Sequence, residues 1–377
     1  MLLGLVSACS RPHLARLTPA QAEERLRSIV ASRAAPALAA AFVIDGRTSL
    51  LNATGTRDLA SGAGVTADTV FPWFSVTKLV TATAVMQLAE RGLVDLDRPV
   101  RTYLPTFAVE SPHGGEVTVR HLLSHTAGLA NPVPITWIHL ASEPGPDLDG
   151  MVDRLLTEHG RLEARPGSRY AYSNVGYLVL GQVIERVSGE RYPDYVRRHV
   201  LDVLGCTSSG FDPPAGEDVA TGYTRRWSTM GLLGRFMIDG RFFAGSIGGF
   251  GALHPFLVDG APYGGLVGTV PDLARFVAAH LGGGALGGRR ILSEASTAEM
   301  RTPQRDLRGG TLPVGLGWRL GEIDGEPFAH HFGGGAGFKT ELRLYPRLGA
   351  GVAIVANETS FDTERVSRIL LDAPAAE

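Results

Sequence analysis

The spacing of apolar positions changes along this chain, and each change marks an element. Thr18 to Arg33 (TPAQAEERLRSIVASR) opens on Thr-Pro, with acidic residues read into the first turn, which predicts a helix. ALAAAFVIDGRTSLLNATGT then reads as two strands joined at Asp45-Gly46, a hairpin turn pair. From Ser75 to Arg91 apolar residues return at three- and four-residue steps through Leu79, Ala82, Met86 and Ala89. That predicts a helix stopped by Gly92. Val117 to about Leu204 is helical and broken by Pro/Gly loops, with its clearest helix at Tyr177 to Ser188. Residues 206–262 are rich in Gly, Phe and Arg with weak periodicity and read as long loops. Pro271 to Leu281 predicts a helix with Pro in its first turn.

The last hundred residues change character. FAHHFGG, GFKTELRLYP and GVAIVANE are short segments bounded by Gly and Pro, read as antiparallel strands. Thr363 to Leu371 reads as a closing helix. Strands thus occur early and late with helices between, the signature of an α+β fold. Residues 21–74 and 262–377 form its sheet part and 75–261 an inserted helical part with long loops. Together 21–372 make one unit. Residues 1–20 read as a disordered start or a lipoprotein-like signal, since VSAC at Cys9 resembles a lipobox. No Lys or Arg precedes its apolar run, so an envelope location, with a membrane tether on a lipidated Cys9, and a cytoplasmic one both stay open.

Composition narrows the classes. The chain has 377 residues, 44% of them hydrophobic, and a formal charge of −2. That supports a sizeable core, and the dispersed arginines form no run of nucleic-acid-binding type. Two cysteines, Cys9 and Cys206, exclude a disulfide scaffold. They are too few for a structural zinc site, and Cys206 reads as a small buried hydrophobe. Of 36 basic residues only Lys78 and Lys339 are lysine; the other 34 are arginine.

Lys78 therefore stands out, three residues after Ser75 at a helix start. That spacing puts both side chains on one face. A serine hydroxyl needs a base to become a nucleophile, and a buried lysine can lose its proton where arginine cannot. A second element is Tyr172-Ser173-Asn174. A phenol beside a lysine can ionise, while Asn174 can fix Lys78 or a substrate amide. The same residues also fit a plain N-cap. A third is HHFGGGAGF, where His331 and Gly333 can line a cleft edge and Gly334 can aim a backbone N–H at an oxyanion; a Gly-rich hairpin explains it equally well. His121 and His125, four apart, are read as packing and hydrogen-bonding residues, and Asp95 and Asp97 as turn residues. Trp137, Trp227 and Trp318 can belong to cleft or core, and Lys339 reads as a solvated strand residue. No Gly-x-Ser-x-Gly and no His-Glu-x-x-His occurs.

In this order, Ser-x-x-Lys, Tyr-x-Asn and His-x-Gly resemble the serine β-lactamase and penicillin-binding-protein superfamily. Within it the likeness is to class C β-lactamases, D,D-carboxypeptidases, D-amino-acid peptidases and family VIII-type esterases. It runs from about Ala37 to Asn357 and includes QLAERGLVDLDRPVRTYLP, VTVRHLLSHTAGL, YSNVGYLVLGQVIERVSG and GGLVGTVPDLARFV. The resemblance implies a β-lactamase/transpeptidase-like fold, an antiparallel sheet flanked by helices with an inserted all-helical domain. It makes Ser75 the acylated nucleophile, with Lys78 and Tyr172 sharing acid–base duty. It gives the oxyanion hole to the N–H groups of Ser75 and Gly334, and puts His331 in the place of a third-motif lysine. Phe332 departs from the Lys-Thr-Gly form and removes a hydroxyl, which weakens the case for anionic β-lactams. The expectation is a serine hydrolase acting on a small ester, amide or peptide, without cofactor or metal. It is esterase- or D-amino-acid-peptidase-like more than a β-lactamase. An acyltransferase and a non-turning-over β-lactam or peptidoglycan-fragment sensor are the alternatives.

Overall fold

The computed structural model describes residues 18–32, 34–132, 137–145, 147–212, 218–226, 238–364 and 366–367. The reading of Cys9, the Trp227 position and most of the predicted closing helix fall outside them.

Helix α1 (Pro19–Ala31) starts where predicted, capped by Thr18, whose hydroxyl accepts the Gln21 N–H while the Gln21 side chain returns to the Thr18 N–H. Its first turn carries no acid; Glu23 and Glu24 lie one turn on. Strands β1 (Ala37–Ile44) and β2 (Arg47–Asp58) form the hairpin at Asp45-Gly46, both with positive φ. With β3 (Ala63–Gly64), β4 (Arg319–Ile323), β5 (Glu326–Gly335), β6 (Phe338–Tyr345) and β7 (Ala350–Ala356) they make one seven-stranded sheet in the order β4-β5-β6-β7-β1-β2-β3. Its pairs are antiparallel throughout. The seam between chain beginning and end is β1 on β7, from Leu38 opposite Ala356 to Ile44 opposite Ala350.

The unbroken apolar run of β1 follows from burial on both faces. Ala39, Ala41 and Val43 face the main core. Leu38 and Ala40 face a second layer with Leu26, Val352, Ile354 and Phe361. A helix at Val270–Leu281 packs on the main-core side of β1 and β7, and α1 covers the other.

Helix α2 (Thr77–Glu90) starts two residues later than the predicted span, after the turn that holds Ser75. All residues from Thr77 to Leu88 are buried, because the helix runs through the middle of the molecule. Its polar side chains find donor partners in place: Thr81 donates to the Pro262 carbonyl, Thr83 to Leu79, and the Gln87 Nε2 to His199 and Ile291. Residues 206–262 are corrected from long loops. They carry a small sheet of Tyr223–Arg225, Phe250–Leu253 and Phe243–Ile247, and a strand at Phe256–Val258 that pairs with Ile138–Leu140. These strands join the helices of the inserted stretch. Short strands rich in Gly and Phe leave little periodicity to read.

Candidate active site

Ser75 lies in a 3₁₀ turn, Phe74–Val76, that leads into α2. The turn is pinned at its start: the Trp73 N–H donates to Leu266, and the Trp73 carbonyl accepts from Val76. Phe74 takes a left-handed backbone, φ 47°, rare for a bulky side chain. Its ring packs against Phe256 and Phe338, which holds that conformation. Ser75 is thereby lifted to the mouth of the core, where it is half-buried between buried Phe74 and Val76.

Two groups converge on the Ser75 Oγ. The Lys78 Nζ lies 3.0 Å away and the Tyr172 hydroxyl donates to it at 2.8 Å. The three-residue spacing thus does what helical geometry requires. Lys78 is fully buried and donates to the Tyr263 carbonyl at 2.8 Å. The rings of Tyr172, Tyr263 and Tyr177 surround its Nζ at 5.0, 5.1 and 5.6 Å. No carboxylate pairs with it among the described residues, and burial holds its pKa well below that of a free lysine. Tyr172 differs from the expectation that lysine would bring its phenolate into reach. Burial is the first cause acting on it and pushes its pKa up, so the phenol rests protonated and donates to Ser75.

Helix α3 (Val119–Leu123) and helix α4 (Asn174–Ser188) frame this group. Ser173 is the N-cap of α4, accepting from Gly176, so the plain capping reading of Tyr-Ser-Asn holds alongside the site. Asn174 is buried beside it. Its N–H donates to the Asn131 side chain at 2.9 Å, no hydrogen bond joins it to Lys78, and its side-chain oxygen has no partner among the described residues. His121 and His125 do not share a helix face. His121 accepts from Thr118 as part of the α3 cap, and His125 sits past the helix end at φ 55°.

The third wall is β5. His331 is buried; its Nδ1 donates to the Phe332 carbonyl at 2.8 Å and its Nε2 has no partner among the described residues. Burial, then nearby Lys78, lowers its pKa to about 3, so the ring is neutral. β4 pairs with β5 only as far as His330, which leaves the β5 edge open from His331 to Gly335. The two-residue turn 336–337 closes on the Gly335–Phe338 pair. Antiparallel alternation then turns the Gly334 N–H away from β6 toward that open edge. Gly333 is needed for packing: a Cβ there would meet the Trp73 carbonyl oxygen at 2.2 Å, and one at Gly335 the Phe74 ring at 2.2 Å.

Among the other candidates, Trp137 packs edge-on against Tyr263, while Trp318 is core, packed on His280. Asp97 holds Arg120 at 2.7 Å, far from this chemistry in role. Lys339 lies over the Phe332 ring at 5.3 Å, and Cys206 is buried as expected. The sequence reading missed the Tyr263 carbonyl, which as a backbone group leaves no residue-type signal, and Arg319. That arginine is exposed, stacks over Tyr170 at 5.9 Å, has no carboxylate partner among the described residues, and acts electrostatically on Tyr172 and His331.

The beta-lactamase family profile matches residues 22–377. The chain is 31% identical over 364 residues to Penicillin-binding protein 4 of Amycolatopsis lactamdurans, covering 92% of this chain and 88% of that one. It is 35% identical over 182 residues to Esterase EstB of Burkholderia gladioli, 45% of this chain and 46% of that protein. The D-amino acid amidase of Ochrobactrum anthropi shares the fold, with a TM-score of 0.75 at 23% identity over 94% of this chain and 98% of that one.

Proposed function

Because this chain belongs to the beta-lactamase family, we propose that it is a serine hydrolase that forms a Ser75 acyl-enzyme with a small ester or amide. The observation that carries this is the Ser75 Oγ held between Lys78 at 3.0 Å and Tyr172 at 2.8 Å, with Lys78 buried and without a carboxylate. A deprotonated Lys78 keeps one N–H on the Tyr263 carbonyl and offers its lone pair to the serine proton. Ser75 then attacks the substrate carbonyl. The N–H groups of Ser75 and Gly334 receive the tetrahedral oxygen, and Tyr172, protonated at rest, gives its proton to the leaving group and recovers it through Lys78. Water, activated by the same pair, releases the acid.

Ester chemistry stands ahead of β-lactam hydrolysis in this reading. His331 is neutral and Phe332 has no hydroxyl, so neither supplies a charge-assisted contact to a β-lactam carboxylate. The likeness to Esterase EstB supports it. A second reading, D-amino-acid peptidase, is favoured by Arg319, a cation at the rim without a carboxylate partner among the described residues. The test is turnover of p-nitrophenyl acetate and butyrate, a chromogenic cephalosporin and a D-Ala-D-Ala peptide, each beside Ser75→Ala. Ser75-dependent ester turnover with little cephalosporin cleavage is expected. Fast cephalosporin hydrolysis would overturn the ester preference, and labelling by a fluorophosphonate without turnover of any substrate would point to a sensor. Product analysis with an added alcohol separates hydrolysis from acyl transfer.

A further inference from the structure

The two peptide N–H groups that flank Tyr172 both end on one residue. The Ala171 N–H donates to the His125 carbonyl at 2.7 Å, and the Ser173 N–H donates to the His125 Nδ1 at 3.1 Å. Between them the imidazole lies on the Tyr172 ring, with centroids 4.4 Å apart and planes inclined by 35°. Its far side lies against Tyr177 at 5.0 Å, and Tyr170 meets it edge-on at 5.9 Å. One residue thus fixes the backbone before and after Tyr172 and the plane of its ring.

His125 meets these contacts at a conformational cost. Its φ of 55° is left-handed, a region that a residue with a Cβ enters only at a cost. Buried strain of this kind persists where surrounding contacts over-determine it, and it clusters at functional sites. The chemistry of the ring is specific too. Because Nδ1 accepts, the proton sits on Nε2, and the ring is neutral with Lys78, His331 and Arg319 as its charged or titratable neighbours. Phenylalanine would stack but leave the Ser173 N–H without an acceptor. Asparagine would accept and tolerate the backbone but provide no ring.

We propose that His125 is a positioning residue for Tyr172, setting the phenol at hydrogen-bond distance from Ser75 without itself touching substrate. The proposal rests on the acid–base role given to Tyr172 above. The test is a double-mutant cycle on kcat for p-nitrophenyl butyrate, with wild type, His125→Asn, Tyr172→Phe and the double variant. In the wild-type background His125→Asn is expected to lower kcat about 10-fold while KM changes by less than about 2-fold. In the Tyr172→Phe background the same change should alter kcat by less than about 2-fold. Equal fold-losses in both backgrounds mean that His125 supports the fold at large and overturn the proposal. A Tyr172→Phe variant with wild-type kcat would remove the role of Tyr172 and this proposal with it, an outcome the single variant reports by itself. If His125→Asn does not fold by circular dichroism, His125→Gln replaces it; failure of both to fold assigns His125 to the fold and overturns the proposal.

Discussion

Replacing Gly333 by alanine tests whether β5 and the Ser75 turn are one rigid unit. The added Cβ would lie 2.2 Å from the Trp73 carbonyl oxygen, 3.2 Å from its carbon and 3.3 Å from the Phe74 Cβ. Reaching an ordinary contact requires an opening of about 1 Å. The obstructing oxygen cannot swing aside freely, because it accepts the Val76 N–H in the turn that carries Ser75, and the Trp73 N–H is tied to Leu266. Ser75 therefore moves with it, away from Lys78 and Tyr172. A misplacement of about 1 Å in such a site costs on the order of 100-fold in rate. Overpacking of this size costs about 1–3 kcal/mol of stability. The assay is p-nitrophenyl ester turnover together with the rate of Ser75 labelling by a fluorophosphonate, with urea unfolding in parallel. None of the Ser75, Lys78 and Tyr172 side chains is removed, so any loss reports geometry. A Gly333→Ala variant that keeps kcat within about 3-fold and unfolds at the wild-type urea midpoint would refute the reasoning.

Three further outcomes follow from the same geometry. Lys78→Arg keeps a charge that cannot be given up, in a pocket whose polar partners are Ser75 and the Tyr263 carbonyl. Ester turnover is expected to fall by about 100-fold or more, and near-normal turnover would remove the proton-transfer role. His280, His330 and His331 each hold a pKa of about 3 through burial. In the unfolded chain they take up protons below about pH 6.5, so stability is lost as pH falls from there toward 3. His331→Gln should make that loss shallower in urea unfolding across the range, and an unchanged slope would contradict it. Arg319→Ala should raise KM for a substrate ending in a free carboxylate about 10-fold or more and leave a neutral ester nearly unaffected. Equal effects on both would deny Arg319 a part in recognition.

The parts of the site that sequence made legible are those whose chemistry depends on side-chain type at short spacing. Ser75 and Lys78 are three apart on one turn, and geometry alone brings them together. Tyr172 and His331 were placed by the order of three motifs, since nothing local says that residues so far apart meet. The terminal strands and their antiparallel pairing were readable from short runs bounded by Gly and Pro. Thr81, Thr83 and Gln87 look solvent-facing in sequence, yet each finds a buried partner: Thr81 on Pro262, Thr83 one turn back on Leu79, and Gln87 on His199 and Ile291. The ionisation of Tyr172 was misjudged for a similar reason: proximity to Lys78 is visible in sequence, while the depth of burial that outweighs it is not. Arg319 carries no motif, and only the fold shows that it reaches the rim.

The seam between β1 and β7 has a consequence for how activity arises during synthesis. Strand β1 cannot complete its pairing until Ala350–Ala356 has emerged, more than three hundred residues after Ala37. The Ser75 turn is made early, but the wall that faces it, His331 to Gly335, is translated about 255 residues later. A nascent chain therefore has no assembled site until β5 has left the ribosome. Such high contact order makes the final docking slow relative to formation of α2 and α4. Lys78 and Asn174, both buried in the finished fold, wait in an open half-molecule through that interval, a stage open to aggregation and proteolysis.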